Sequence, residues 1–227
     1  MTKRGTLFLF IIISLFTINM AASQPTGGNI TLGFSERGVS SGSETAGIES
    51  GNLTAVNVTN IAITTRWAGF YGEVSGEIFL GDSSGNRFYE WTVSNVTGAV
   101  VFATNSTVSD WSNSNIVAAN DSVLPSYLKT SATDNYNNTF NQSGTFTSLS
   151  ITEANTNYTE TFQNGTRGSL KTYALHSTAD DALIFAGVAQ DNAESFKTND
   201  TTSTKVDYQL LLPAQSATVY NFYLELV

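Results

Sequence analysis

Short apolar runs with a two-residue period, cut at intervals of about ten residues by Asn, Gly and Asp, commit this chain to antiparallel sheet. The pattern is clearest in "GTFTSLSI", "NYTETF", "GSLKTYALH" and "ALIFAGVA", which follow one another from Gly144 to Ala189. "VDYQLLLP" sets Tyr208, Leu210 and Leu212 on one face before Pro213 ends the run, and "TVYNFYLELV" aligns Tyr220, Phe222, Leu224 and Leu226. "GEVSGEIFL" and "RFYEWTV" flank the turn formers "GDSSGN" and predict a β-hairpin. "AVVFA" reads as a buried strand, and "NLTAVNVTNIAITT" as a strand whose parity changes mark bulges or a bend. Between about Asn105 and Leu128 the period is lost, which predicts a long loop with a short helical piece. No fixed-period repeat is present. The expected fold is all-β, an antiparallel β-sandwich of Greek-key or jelly-roll type, in one domain over residues 52–227.

The leading residues "MTKRGTLFLFIIISLFTINMAASQP" combine Lys3 and Arg4, an apolar run from Leu7 to Ile18, and the small residues Ala21 and Ser23. This is the layout of a secretory signal peptide over residues 1–23, so the membrane is met only during export. Two alternatives stay open. "KRG" before an apolar run also suits a prepilin signal cut near Gly5, which would leave an assembly helix on the protein; a retained anchor is the other. Against both, the run is shorter than the about twenty residues of a bilayer span.

Cleavage after Ser23 leaves eight cations against nineteen carboxylates, so a nucleic-acid backbone is a poor partner. There is no cysteine. Eleven N-x-S/T sequons start at Asn29, Asn52, Asn57, Asn95, Asn105, Asn120, Asn137, Asn141, Asn157, Asn164 and Asn199. Chance would place about five in a chain of this Ser and Thr content. The excess predicts a glycosylated surface, and dense sequons without disulfides fit an archaeal cell surface.

Residues 24–51 form a unit of their own. In "NITLGF", Ile30, Leu32 and Phe34 share one parity and predict a short strand with one apolar face. "SERGVSSGSETAGIESG" then reads as a flexible tether. The strand folds back on its own domain or pairs with a neighbour; the tether permits either.

Chemical constellations are sparse. His176 is the sole histidine and adjoins Ser177, Asp180 and Asp181, but no G-x-S-x-G elbow presents a nucleophile. Zinc would lack thiols and a second imidazole. Oxygen ligands for a structural calcium are offered by "GDSSGN", "QDNAES" and "TNDTT", with Asp82, Asp191 and Asp200 equally explained as turn residues. No cofactor is expected, and the chain reads as non-enzymatic. In "RWAGFYG", Arg66, Trp67, Phe70 and Tyr71 could stack on and hydrogen-bond a sugar. The favoured reading of these rings, with Tyr89 and Trp91 as cross-strand partners, is that they fill the sandwich core.

"TTRWAGFYGEVSGEIFLGDSSGNRFYEW", "DYQLLLP" and "TVYNFYLEL" resemble a functionally uncharacterised group of secreted archaeal β-sandwich surface proteins that share an R-W-A-G-F/Y-Y-G opening and an aromatic last strand. The resemblance spans most of residues 52–227 and implies no catalytic residues. In layout, a tethered strand before a β domain is similar to archaeal thread and bundling-pilus subunits, in which each leading strand completes the next subunit's sheet. That likeness implies self-association into a homopolymer through Ile30, Leu32 and Phe34, whose burial would contribute about 1.5–3 kcal/mol each. A secreted carbohydrate- or surface-binding module with glycan partners, and a pilin keeping its apolar helix, are the alternatives.

Overall fold

The computed structural model describes residues 24–33, 35–45, 47, 49–50, 52–53, 55–197, 205–215 and 218–227; the expected signal peptide, Phe34 and Asn199 lie outside them. The strands, in chain order, are β1 (Thr26–Gly27), β2 (Trp67–Gly72), β3 (Glu77–Gly81), β4 (Arg87–Thr92), β5 (Val100–Thr104), β6 (Ile116–Ala118), β7 (Gln142–Thr147), β8 (Thr152–Gln163), β9 (Thr166–Ser177), β10 (Ala182–Val188), β11 (Tyr208–Pro213) and β12 (Asn221–Glu225). Every ladder between them is antiparallel. The fold is all-β, with packed antiparallel sheets as in a sandwich.

One sheet dominates. Its strands run β1-β12-β5-β10-β9-β8-β7, with β6 added to β9. β7 to β10 form a meander because each is joined to the next by a tight connection. Asn164 and Gly165, both at positive φ, turn β8 into β9, a conformation that Asn-Gly adopts with little steric cost. The central strands are apolar at nearly every position because both faces of the sheet are covered: all five residues of β5 are buried. On one face Trp67, Phe140, Phe185, Leu210 and Leu212 join Val101 and Ala103 in a core; on the other Phe102, Trp111, Ile116, Phe146, Tyr173 and Ile184 form a second one.

Among the described residues, the strands lying over the first face are β11 and β2, paired with each other, and Leu128, Tyr136 and Phe140 pack beside them. Gly187 in β10 is what lets β11 come close, since a Cβ there would lie 2.9 Å from the Leu210 side chain. The edge of β11 away from β2 is covered as well. The Leu211 amide donates to Thr172 Oγ1 of β9 at 3.0 Å, and Gln209 Nε2 donates to the Phe162 carbonyl at 3.1 Å.

Several expectations are corrected. The stretch 52–64 forms no strand in its described residues, and Leu53, Val56, Val58 and Ile61 are exposed. The described part of "NITLGF" is unpaired too; the leading strand is Thr26–Gly27, held against Leu224 and Tyr223 of the same chain. β12, the last strand, is second from the edge among the described residues, flanked outside by two-residue β1. The predicted β3–β4 hairpin is present, but its rings do not fill the core. Tyr89 and Trp91 are 59% and 51% exposed, because the hairpin pairs with no other strand among the described residues.

Candidate functional site: a groove beside an open sheet edge

The two-stranded layer leaves one edge of β2 free. Ala214 N–H donates to the Arg66 carbonyl, so the alternation of an antiparallel ladder turns the amides of Trp67, Gly69 and Tyr71 away from β11. Among the described residues no strand pairs with that edge.

Beside it lies a groove of about 1290 Å³. Its more buried lining is Leu210, Phe70 and Phe222; the last two bridge the layers with ring centroids 5.5 Å apart, edge to face. Its more exposed lining is Tyr71, Phe162 and Phe196, and Tyr71 meets Phe196 edge to face at 5.0 Å. The opposite wall is the chain's own leading segment, Ile30–Gly33 and Ser35–Gly38. That segment leaves the sheet where the Gly28 amide donates to the Phe222 carbonyl at 3.1 Å, and it rejoins the chain where the Ser41 amide donates to Ile61 at 3.0 Å. Between these points it borders the groove without filling it: Ile30 is 56% exposed and Leu32 82%. Among the described residues, the cations Arg37, Arg167 and Lys197 and the carboxylates Glu36 and Glu160 also line the groove.

The structure splits the four residues expected to act together as a ligand platform. Arg66 is held by Asp134, with Nη1 to Oδ1 at 2.8 Å, and by the Tyr127 carbonyl at 3.2 Å. Trp67 is buried, donates from Nε1 to the Asp134 carbonyl at 2.7 Å and packs on Phe140. Only Phe70 and Tyr71 reach the groove. Sequence reasoning missed Phe162, Phe196 and the two cations Arg167 and Lys197. A lone ring inside "DNAESFKTND" was the available signal, since nothing in that stretch could bury it.

His176, Ser177 and the neighbouring aspartates do not converge. Successive residues of β9 face opposite sides. His176 Nε2 lies 3.0 Å from Asp181 Oδ1, whereas Ser177 Oγ donates to Asp180 and contacts Asn115 Nδ2. Asp82 spends its carboxylate on its own turn, accepting from the Asn86 side chain and from the Asn86 and Ser84 amides, which hold it below the usual carboxylate range. Asp191 accepts from Asn192 Nδ2 at 2.8 Å, and Asp200 lies outside the described residues.

The expected glycan acceptors are mostly at the surface. Asn29, Asn52, Asn57, Asn95, Asn105, Asn120, Asn137, Asn141 and Asn164 are exposed, while Asn157 is half-buried within β8 opposite Ser143.

Comparison of the chain with protein-family models, with curated proteins and with solved structures finds no match.

Proposed function

We propose that the protein is an exported, glycosylated, non-enzymatic structural subunit that polymerises at a cell surface by β-strand addition. The leading segment of one copy, carrying Ile30, Leu32 and Phe34, lies along the free edge of β2 in the next copy and fills the groove. The observation that carries this reading is the mismatch on either side of that groove. A two-stranded second layer lies on one side, and Ile30 and Leu32, with their side chains in water, lie on the other.

The physical argument is that of any uncovered sheet edge. Unpaired amides and carbonyls beside apolar rings are a standing invitation to another strand. A strand from a second copy satisfies the main chain of β2 and buries apolar surface on both partners. The donor lies at one place on the subunit and the acceptor at another, so the contact is head to tail and repeats as a fibre.

Deleting residues 24–36 tests it. The full exported chain should form filaments visible by negative-stain electron microscopy, and the deletion variant should run as a monomer in light scattering. A peptide of residues 24–36 should bind that variant. Monomers from the full chain, or filaments from the deletion variant, would overturn the reading. Mass analysis of the mature N-terminus should find Gln24 first.

The exposed rings Tyr71, Phe162 and Phe196 beside Arg167, Lys197 and Glu160 favour a second reading, a carbohydrate-binding groove. Saturable oligosaccharide binding lost in Tyr71→Ala, in a chain that forms no filaments, would select it.

A further inference from the structure

The outer rim of the groove is tied to the β8–β9 turn. Phe196, which meets Tyr71 edge to face, lies outside the strands and is 40% exposed. One exposed ring pair holds its own geometry only weakly. The backbone just before the ring is fastened instead. The Glu194 carbonyl accepts from Gln163 Nε2 at 3.1 Å, and the Ser195 carbonyl accepts from the Asn164 amide at 2.7 Å. Two consecutive residues of the turn thus grip two consecutive residues of the rim. The grip by Asn164 needs only a main-chain N–H. The grip by Gln163 needs a side-chain donor.

The orientation of the Gln163 amide is fixed by its surroundings. The β8–β9 ladder shifts register between Glu160 and Phe162, and beside that shift Gln163 Oε1 accepts the amides of Ser169 and Leu170 at 2.6 and 3.3 Å. Gly168 makes the room, since a Cβ there would collide with Oε1. With the oxygen committed to two donors, the nitrogen must face an acceptor, and the Glu194 carbonyl supplies it.

We propose that Gln163 is a positioning residue for the groove: by holding Glu194 it places Phe196 against Tyr71, and so preshapes the rim past which a neighbour's leading segment enters. The placement of the ring stands by itself, whereas its effect on assembly rests on the strand-addition reading. The two halves of the amide have separate jobs. The oxygen serves the β8–β9 hairpin, and the nitrogen serves the groove. A rim that is already in place loses less freedom when a strand arrives, so the nitrogen acts on assembly more than on the stability of the free subunit.

Gln163→Glu separates the two halves, because a carboxylate still accepts from Ser169 and Leu170 but opposes the Glu194 carbonyl. A para-fluorophenylalanine introduced at residue 196 of the full chain reports the ring contact by fluorine NMR. In the native background Tyr71→Ala should shift its resonance. In Gln163→Glu the resonance should move toward that of a solvent-exposed ring and no longer respond to Tyr71→Ala. The protein concentration at which filaments appear should rise about tenfold. Gln163→Ala, which removes both halves, should melt lower than Gln163→Glu. The proposal is overturned by a fluorine resonance that keeps its dependence on Tyr71 in Gln163→Glu, or by a melting loss in Gln163→Glu as large as that of Gln163→Ala. Filaments from Gln163→Glu at the native concentration would overturn the assembly half. A native chain that forms no filaments would sink strand addition, and the fluorine measurement would still decide whether Gln163 places the ring.

Discussion

The Arg66 guanidinium meets the Asp134 carboxylate at 2.8 Å, and the next side chain, Trp67, donates to the backbone carbonyl of the same residue. Thr64 adds its hydroxyl to the other carboxylate oxygen at 2.7 Å. Asp134 thus staples the start of β2 to the segment before the helical turn Tyr136–Thr139, whose Phe140 receives the indole. The "RWAGFYG" stretch is therefore divided by role, its first half structural and its second half on the groove.

That division has a mutational signature. Trp67→Ala removes a buried ring and one hydrogen bond, and is expected to cost about 3–5 kcal/mol in urea unfolding. Tyr71→Ala removes a 39% exposed ring whose partner is Phe196, and is expected to cost under about 1.5 kcal/mol. Equal costs would place both rings in the same environment.

The same staple makes part of the stability acid-sensitive. The Thr64 hydroxyl, and next the Arg66 charge, hold the Asp134 carboxyl below its ordinary value. A carboxyl lowered in the folded state contributes stability fully above its unfolded pKa of about 3.9 and loses that contribution as pH falls through the folded value. Unfolding midpoints should drop below about pH 4 in the native chain. Asp134→Asn should be less stable at pH 7 and fall less steeply in acid.

Gly187 sets the spacing between the layers. Its Cβ-less backbone is where β11 rests on β10, so Gly187→Val must displace Leu210 from a 1% exposed position. A loss of about 1–3 kcal/mol from overpacking is expected in thermal or urea unfolding.

Glycan mapping by mass spectrometry tests the surface. Exposed sequons such as Asn95, Asn105 and Asn164 should be occupied. Asn157 should be bare, because it is half-buried within the twelve-residue strand β8 and paired with Ser143 of β7.

Much of the fold was legible from local pattern. The strands from Gln142 to Val188, the β3–β4 hairpin, buried β5 and the last two strands all follow from period-two alternation and from Asn, Gly and Asp at the turns, which act over a few residues. The candidate site was legible only in part. Phe70 and Tyr71 stood out in a ring-rich stretch, whereas Phe162, Phe196, Arg167 and Lys197 are brought to the groove from β8, β9 and the segment after β10.

Alternation in a single chain shows that one face of a strand is apolar; it does not show whether another layer covers that face. For β5 and β10 the cover exists on both sides, and for β3–β4 no strand among the described residues supplies it, although both patterns promise burial. The same holds for backbone pairing. "NITLGF" and "NLTAVNVTNIAITT" have strand composition, yet a strand needs a partner's amides as well as its own, and partner geometry is a property of the assembled sheets. Residue types and spacing therefore specified the all-β class and most of its strands. Packing of distant elements alone placed Trp67 in the core, left β2 with a free edge and kept Ile30 and Leu32 in water.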